Sequence, residues 1–79
     1  MKFCDKLIKM RKENNLSQEQ FADKLGVSRQ AVSKWESGGT YPDMEKILKM
    51  CKILNCNLED LMDDGVIGET TSQKKYIKL

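Results

Sequence analysis

Apolar residues recur every three or four positions along most of this chain, and short polar breaks separate the runs. Phe3, Leu7, Ile8 and Arg11 share one helical face, with Asp5, Lys6, Lys9, Lys12 and Glu13 on the others. That spacing predicts an amphipathic helix over about residues 2–14. Asn14–Asn15 ends it, because Asn tolerates the left-handed backbone. Ser17 is a good N-cap for a second helix, and Gln20 completes a capping box of the form S-x-x-Q. Phe21, Ala22 and Leu25 give this helix its apolar face. Gly26 follows where the chain must reverse, at no steric cost.

Ser28 is a second N-cap. It predicts a third helix over residues 29–37, with Ala31, Val32 and Trp35 inward and Arg29, Gln30, Ser33 and Lys34 outward. Gly38–Gly39 stops it, and Thr40–Tyr41–Pro42 forms a loop. Asp43 opens a fourth helix, in which Met44, Ile47, Leu48, Cys51 and Leu54 form a core stripe. Lys46, Lys49 and Lys52 lie off it. Asn57 caps a short fifth helix of about residues 58–63. Leu58, Leu61 and Met62 are available for burial, and Glu59 and Asp60 sit in the first turn, where the helix dipole favours negative charge. From Asp64 the periodicity fails. The expected organisation is therefore a helical domain over residues 1–63 and a flexible tail, linker or dimerisation segment over residues 64–79.

Composition supports an all-helical class. The chain has 79 residues, one Pro, 39% hydrophobic and 33% charged residues, which suits one small globular domain. No apolar run approaches the ~18–20 residues of a membrane span. The three cysteines, Cys4, Cys51 and Cys56, are odd in number and lack CxxC spacing. They read as free thiols in a reducing cytoplasm rather than a disulfide framework. The chain has no His. That leaves no acid–base constellation, and no phosphate loop of the form GxxxxGK[ST] occurs, so neither an enzyme nor a metal or cofactor site is expected.

The net charge of +2 says little about partners, but its placement says more. Between Lys24 and Tyr41 the charged residues are Lys24, Arg29, Lys34 and Glu36. Between Asn55 and Asp64 they are Glu59, Asp60, Asp63 and Asp64, all negative. An anionic partner thus suits the middle of the chain and not its far end. Two short helices joined by a tight turn have helix-turn-helix geometry, and the second helix then enters the major groove of DNA. Arg29 suits guanine O6 and N7, and Gln30 suits adenine N6 and N7. Ser33 reaches a base edge or a phosphate. Lys34, Gln18, Thr40 and Tyr41 suit the phosphate backbone.

The segments Leu16-Ser17-Gln18-Glu19-Gln20-Phe21-Ala22, Leu25-Gly26-Val27-Ser28, Val32-Ser33-Lys34-Trp35-Glu36-Ser37-Gly38 and Pro42-Asp43 resemble the Cro/C1-type (Xre) helix-turn-helix domains of phage and bacterial repressors. The resemblance covers about residues 3–63. It implies a five-helix, lambda-repressor-like domain that binds a palindromic DNA operator as a homodimer, most often to repress transcription. Ser28, Arg29, Gln30 and Ser33 match positions that meet the operator. Gln18 and Lys34 match further DNA contacts. Arg11 and Glu36 match a pair that forms a buried salt bridge between the first and third helices. Gly38–Gly39 departs from the family's single Gly followed by a polar or basic residue. Dimer contacts are expected from the fifth helix and the residues after it, including Leu61 and Met62. The competing reading is a protein-interaction module, antitoxin-like or an adaptor, that grips a protein partner or effector domain through the tail.

Overall fold

Past the first helix, the start of each helix is marked by a side chain that takes up an otherwise unpaired backbone N–H. The computed structural model describes residues 2–62, with five helices: α1 Phe3–Glu13, α2 Gln18–Leu25, α3 Arg29–Glu36, α4 Met44–Leu54 and α5 Leu58–Leu61. At α2 the capping box is complete. Ser17 Oγ accepts from Gln20 N at 3.0 Å and Gln20 Oε1 accepts from Ser17 N at 2.8 Å. Ser28 Oγ accepts from Ala31 N at 3.2 Å, and Asp43 Oδ1 accepts from Lys46 N at 2.9 Å. At α5 the bond runs the other way, from Asn57 N to Asp60 Oδ2 at 3.0 Å.

The four longer helices also end alike. Asn15, Gly26, Gly38 and Asn55 all have positive φ, between 54° and 83°. In each case the next residue donates its N–H back over five positions: Leu16 to Arg11 O, Val27 to Ala22 O, Gly39 to Lys34 O and Cys56 to Cys51 O, at 3.0–3.1 Å. This is the Schellman stop, which satisfies the orphan carbonyls of the last turn and reverses the chain. The sharp corners let helices of only eight residues pack side by side. Gly26 matters most here, since at φ 76° any side chain would strain the turn between α2 and α3.

The helices bury one core of Phe3, Leu7, Phe21, Ala22, Leu25, Val32, Trp35, Ile47, Met50, Leu54 and Leu61. The most extensive packing is between α2 and α3; α1 lies against α3 and α5, and α4 against α2 and α5. Small, buried Ala22 lets α2 approach its neighbours closely. Lys6 Nζ donates to the Met62 carbonyl at 2.7 Å, tying α1 to the end of α5. Tyr41, in the loop after α3, lies with its ring 5.1 Å from that of Phe3. No helix among the described residues is long and apolar enough to cross a membrane.

Three expectations need correction. First, α4 turns a different stripe inward. Ile47, Met50 and Leu54 are buried, whereas Met44 and Leu48 are 54% and 50% exposed. Both sets fit a helical period, because α4 carries more apolar positions than α2 and α5 can cover. Substituting Met44 or Leu48 with Gln is therefore expected to change stability by no more than ~0.5 kcal/mol, read by urea unfolding. A loss several times larger would restore them to the core. Second, in α1 the partly buried Met10, not Ile8, packs against the core. Third, Leu61 is fully buried at 0% exposure, so it fills the core of its own chain and offers no dimer contact. Helix ends differ from expectation by one or two residues, which is ordinary fraying. The expected tail, 64–79, lies outside the described residues, as does residue 63 of the expected fifth helix.

Candidate nucleic-acid interface

The outward face of α3 follows from what its inward face must do. Val32 and Trp35 are buried in the core and Ala31 is partly buried. With 100° between successive residues, Arg29, Gln30, Ser33 and Lys34 then share the opposite side. Arg29, Gln30 and Lys34 are exposed and Ser33 is half-buried. All four sequence-predicted side chains thus occupy one face of one helix. Ser28 is exposed at the head of the same helix, but its Oγ already accepts the Ala31 N–H. Its hydroxyl proton remains available to donate to a ligand.

The N-terminus of α2 stands next to this face through a shared anchor. Glu36, at the last turn of α3, is 8% exposed and accepts three hydrogen bonds. Arg11 Nε donates to Oε2 at 2.6 Å and Arg11 Nη2 donates to Oε1 at 3.1 Å, a bidentate fork. Gln18 Nε2 donates to the same Oε1 at 3.0 Å. The remaining arm of Arg11, Nη1, donates to the Leu16 carbonyl at 2.7 Å. Every buried side-chain nitrogen and oxygen among the described residues has a partner. One ion pair therefore ties the last turn of α1, the loop before α2, the first residue of α2 and the end of α3.

The Arg11–Glu36 pair was implied by the family resemblance alone, while the bond from Gln18 to Glu36 was not foreseen. Its amide N–H is committed to Glu36, so its carbonyl oxygen and second N–H, with the free backbone N–H groups of the first turn of α2, are what it presents outward. Nothing in the sequence separates a glutamine that braces a carboxylate from one that contacts a ligand, since both need the same side chain at the same helix start.

After α3, Ser37 Oγ donates to the Lys34 carbonyl at 2.9 Å, and Gly39 N donates to the same carbonyl at 3.0 Å. Gly38 takes φ 83°, a conformation other side chains rarely adopt, so the first glycine of the pair is a requirement of the helix stop. Gly39 carries no such demand. Thr40 and Tyr41 are exposed in the loop beyond. The basic residues Arg29 and Lys34 face outward, and Glu36, which lies close to them in sequence, is neutralised by Arg11. The face as a whole presents amide, hydroxyl and cationic donors with no free carboxylate on α3.

A family profile described as helix-turn-helix matches residues 7–61. Among curated proteins the chain is 45% identical to the transcriptional activator BcrR of Enterococcus faecalis, across all of this chain and 40% of that protein. It is 36% identical to the CTXphi transcriptional repressor RstR of Vibrio cholerae, across 77% of this chain and 54% of that protein. The chain thus spans about half or less of the length of these relatives. Among solved structures it superposes on the P22 c2 repressor in complex with synthetic operator 9T, with a TM-score of 0.75 and 28% identity over 80% of this chain and 96% of that one. It also superposes on the restriction-modification controller C.AhdI of Aeromonas hydrophila, with a TM-score of 0.71 and 30% identity over 76% of this chain and 91% of that one. With its two capped helices, the left-handed turn at Gly26 and this profile match, the chain belongs to the Cro/C1-type (Xre) helix-turn-helix family.

Proposed function

We propose that this chain is the DNA-binding unit of a transcriptional regulator. It reads an inverted-repeat operator in the major groove as a homodimer. The observation that carries the proposal is the alignment of Arg29, Gln30, Ser33 and Lys34 on the one polar face of α3, above an anchor that fixes that helix to α1 and α2. Arg29, Gln30 and Ser33 meet base edges. Gln18, Ser28, Lys34, Thr40 and Tyr41 hold the phosphate backbone and set the register. The operator in the P22 c2 repressor complex supports a DNA partner for the shared fold. The relatives include both an activator and a repressor, so the sign of regulation depends on where the operator lies relative to the promoter. Residues 1–63 form the binding domain and residues 64–79 a tail, linker or dimerisation segment; with Leu61 occupied in the core, Met62 is the residue of α5's end left for a dimer contact.

The test is selection of bound duplexes from a random pool by the full chain, read by sequencing. A short motif repeated in inverted orientation is the expected outcome, with centres separated by about one helical turn, ~34–36 Å, or a multiple of it. Enrichment of no motif at moderate salt would refute the reading. Lys34→Ala distinguishes positioning from reading. It is expected to weaken selected and random DNA about equally, and to reduce the slope of log affinity against log salt by ~1 per protomer. A change in the selected sequence would instead make Lys34 a base contact.

A further inference from the structure

The corner between α4 and α5 holds two of the three cysteines, and nothing in DNA recognition uses them. Cys51 lies in the last turn of α4 and Cys56 follows the left-handed Asn55, which has φ 54°. They are the two ends of the Schellman stop, the positions whose side chains ordinarily touch across such a corner. The Cys56 N–H donates to the Cys51 carbonyl at 3.0 Å. Backbone dimensions then hold the two Cα atoms within ~7 Å, the span a disulfide can bridge. Both side chains are half-buried and line an open cleft with Lys52, Asn55, Asn57 and Asp60. Among the described residues no group of three or more Cys, Asp or Glu could hold a metal, so the pair stands as a dithiol and not as part of a metal site.

We infer that Cys51 and Cys56 are a modification site, a dithiol that the fold holds ready for reversible conversion to an intramolecular disulfide by a small disulfide or diazene oxidant. With a disulfide oxidant the Cys51 thiolate attacks one sulfur and releases the first thiolate, leaving a mixed disulfide. The Cys56 thiolate then attacks the Cys51 sulfur and releases the second. Two electrons pass to the oxidant, and the two protons lost by the cysteines are taken up by the released thiolates. Burial raises both thiols and pushes Cys56 up to about 12, with Cys51 and Asp60 adding to it. Both are therefore neutral thiols at pH ~7, and because the thiolate is the nucleophile, the reaction is slow there and accelerates ~10-fold per pH unit above it. The charged groups lining the cleft are Lys52 and Asp60.

The experiment equilibrates the full chain with reduced and oxidised glutathione, then traps free thiols by alkylation and maps peptides without reduction. The expected product has lost two hydrogens, carries a Cys51–Cys56 link, leaves Cys4 alkylated and returns to the parent mass with dithiothreitol. Its equilibrium constant should be at least ~10-fold larger in the folded chain than in the chain unfolded in urea, because the fold supplies the approach of the two sulfurs. Cys4→Ser should behave as the parent. Glutathione retained on Cys51 or Cys56, a link through Cys4, or equal constants in folded and unfolded chain would overturn the inference.

Discussion

Replacing Glu36 with Ala is expected to destabilise the folded chain by ~3–5 kcal/mol. Arg11 and Glu36 are each 8% exposed, so neither can recover its partner's bonds from water. Removing the carboxylate leaves the Arg11 guanidinium charged and buried, and it also strands the Gln18 amide that shares Oε1. A domain of this size has about 4–12 kcal/mol of stability in all, so the variant should lose at least about a quarter of it. Urea unfolding reads the loss. Glu36→Gln keeps an acceptor but not the charge, and should fall between parent and Ala variant. The pair Arg11→Met with Glu36→Leu should regain most of the loss, because two apolar side chains of similar volume escape the desolvation cost of the ions. A Glu36→Ala chain within ~1 kcal/mol of the parent would show that the anchor is not holding α3. It would also weaken the proposal that α3 is presented rigidly to DNA.

The same anchor shows which parts of the fold a sequence can announce. Caps and stops are local. Ser17 with Gln20, Ser28, Asp43 and Gly26 announce themselves because a helix end needs a particular side chain or backbone freedom within three or four residues. Arg11 and Glu36 are 25 residues apart and were legible only through family resemblance, since periodicity shows a cation on an apolar face without naming its partner. The α4 stripe was misread because burial depends on which neighbours cover the helix, and Met44, Leu48 and Met50 are equally apolar on the page. Leu61 carried two expectations, burial and a dimer contact, for the same reason: a leucine near the end of a domain can close the core or face a partner, and here, with α1 and α4 packed against α5, it closes the core. At the interface the sequence could place Arg29, Gln30, Ser33 and Lys34 on one face, because the inward-facing Ala31, Val32 and Trp35 fix the helix's rotation. It could not show that Gln18 already spends a donor on Glu36.

Replacing Arg29 or Gln30 with Ala is expected to cost ~1–3 kcal/mol of discrimination per half-site. A dimer carries each substitution twice, so the loss against the parent operator reaches ~2–6 kcal/mol when both half-sites act independently. Neither change should affect folding, since both side chains are exposed and the Ala31 N–H bond to Ser28 Oγ that starts α3 is untouched. Selection from a random pool should then show relaxed preference at one position of each half-site, a different position for each variant, while affinity for random duplex changes little for Gln30→Ala. Arg29→Lys separates the two roles an arginine can have here. Lysine keeps the charge but loses the planar fork that pairs with guanine O6 and N7. If Arg29 reads a base, the lysine variant should lose preference at that position nearly as fully as the alanine variant, while keeping its salt dependence. If Arg29 only neutralises phosphate, the lysine variant should bind like the parent and select the same motif, and that result would remove Arg29 from the base-reading set. Gln30 has no charge with which to hold a phosphate at long range, so unaltered selection by Gln30→Ala would assign it to the solvated edge of α3 and leave reading to Arg29 and Ser33.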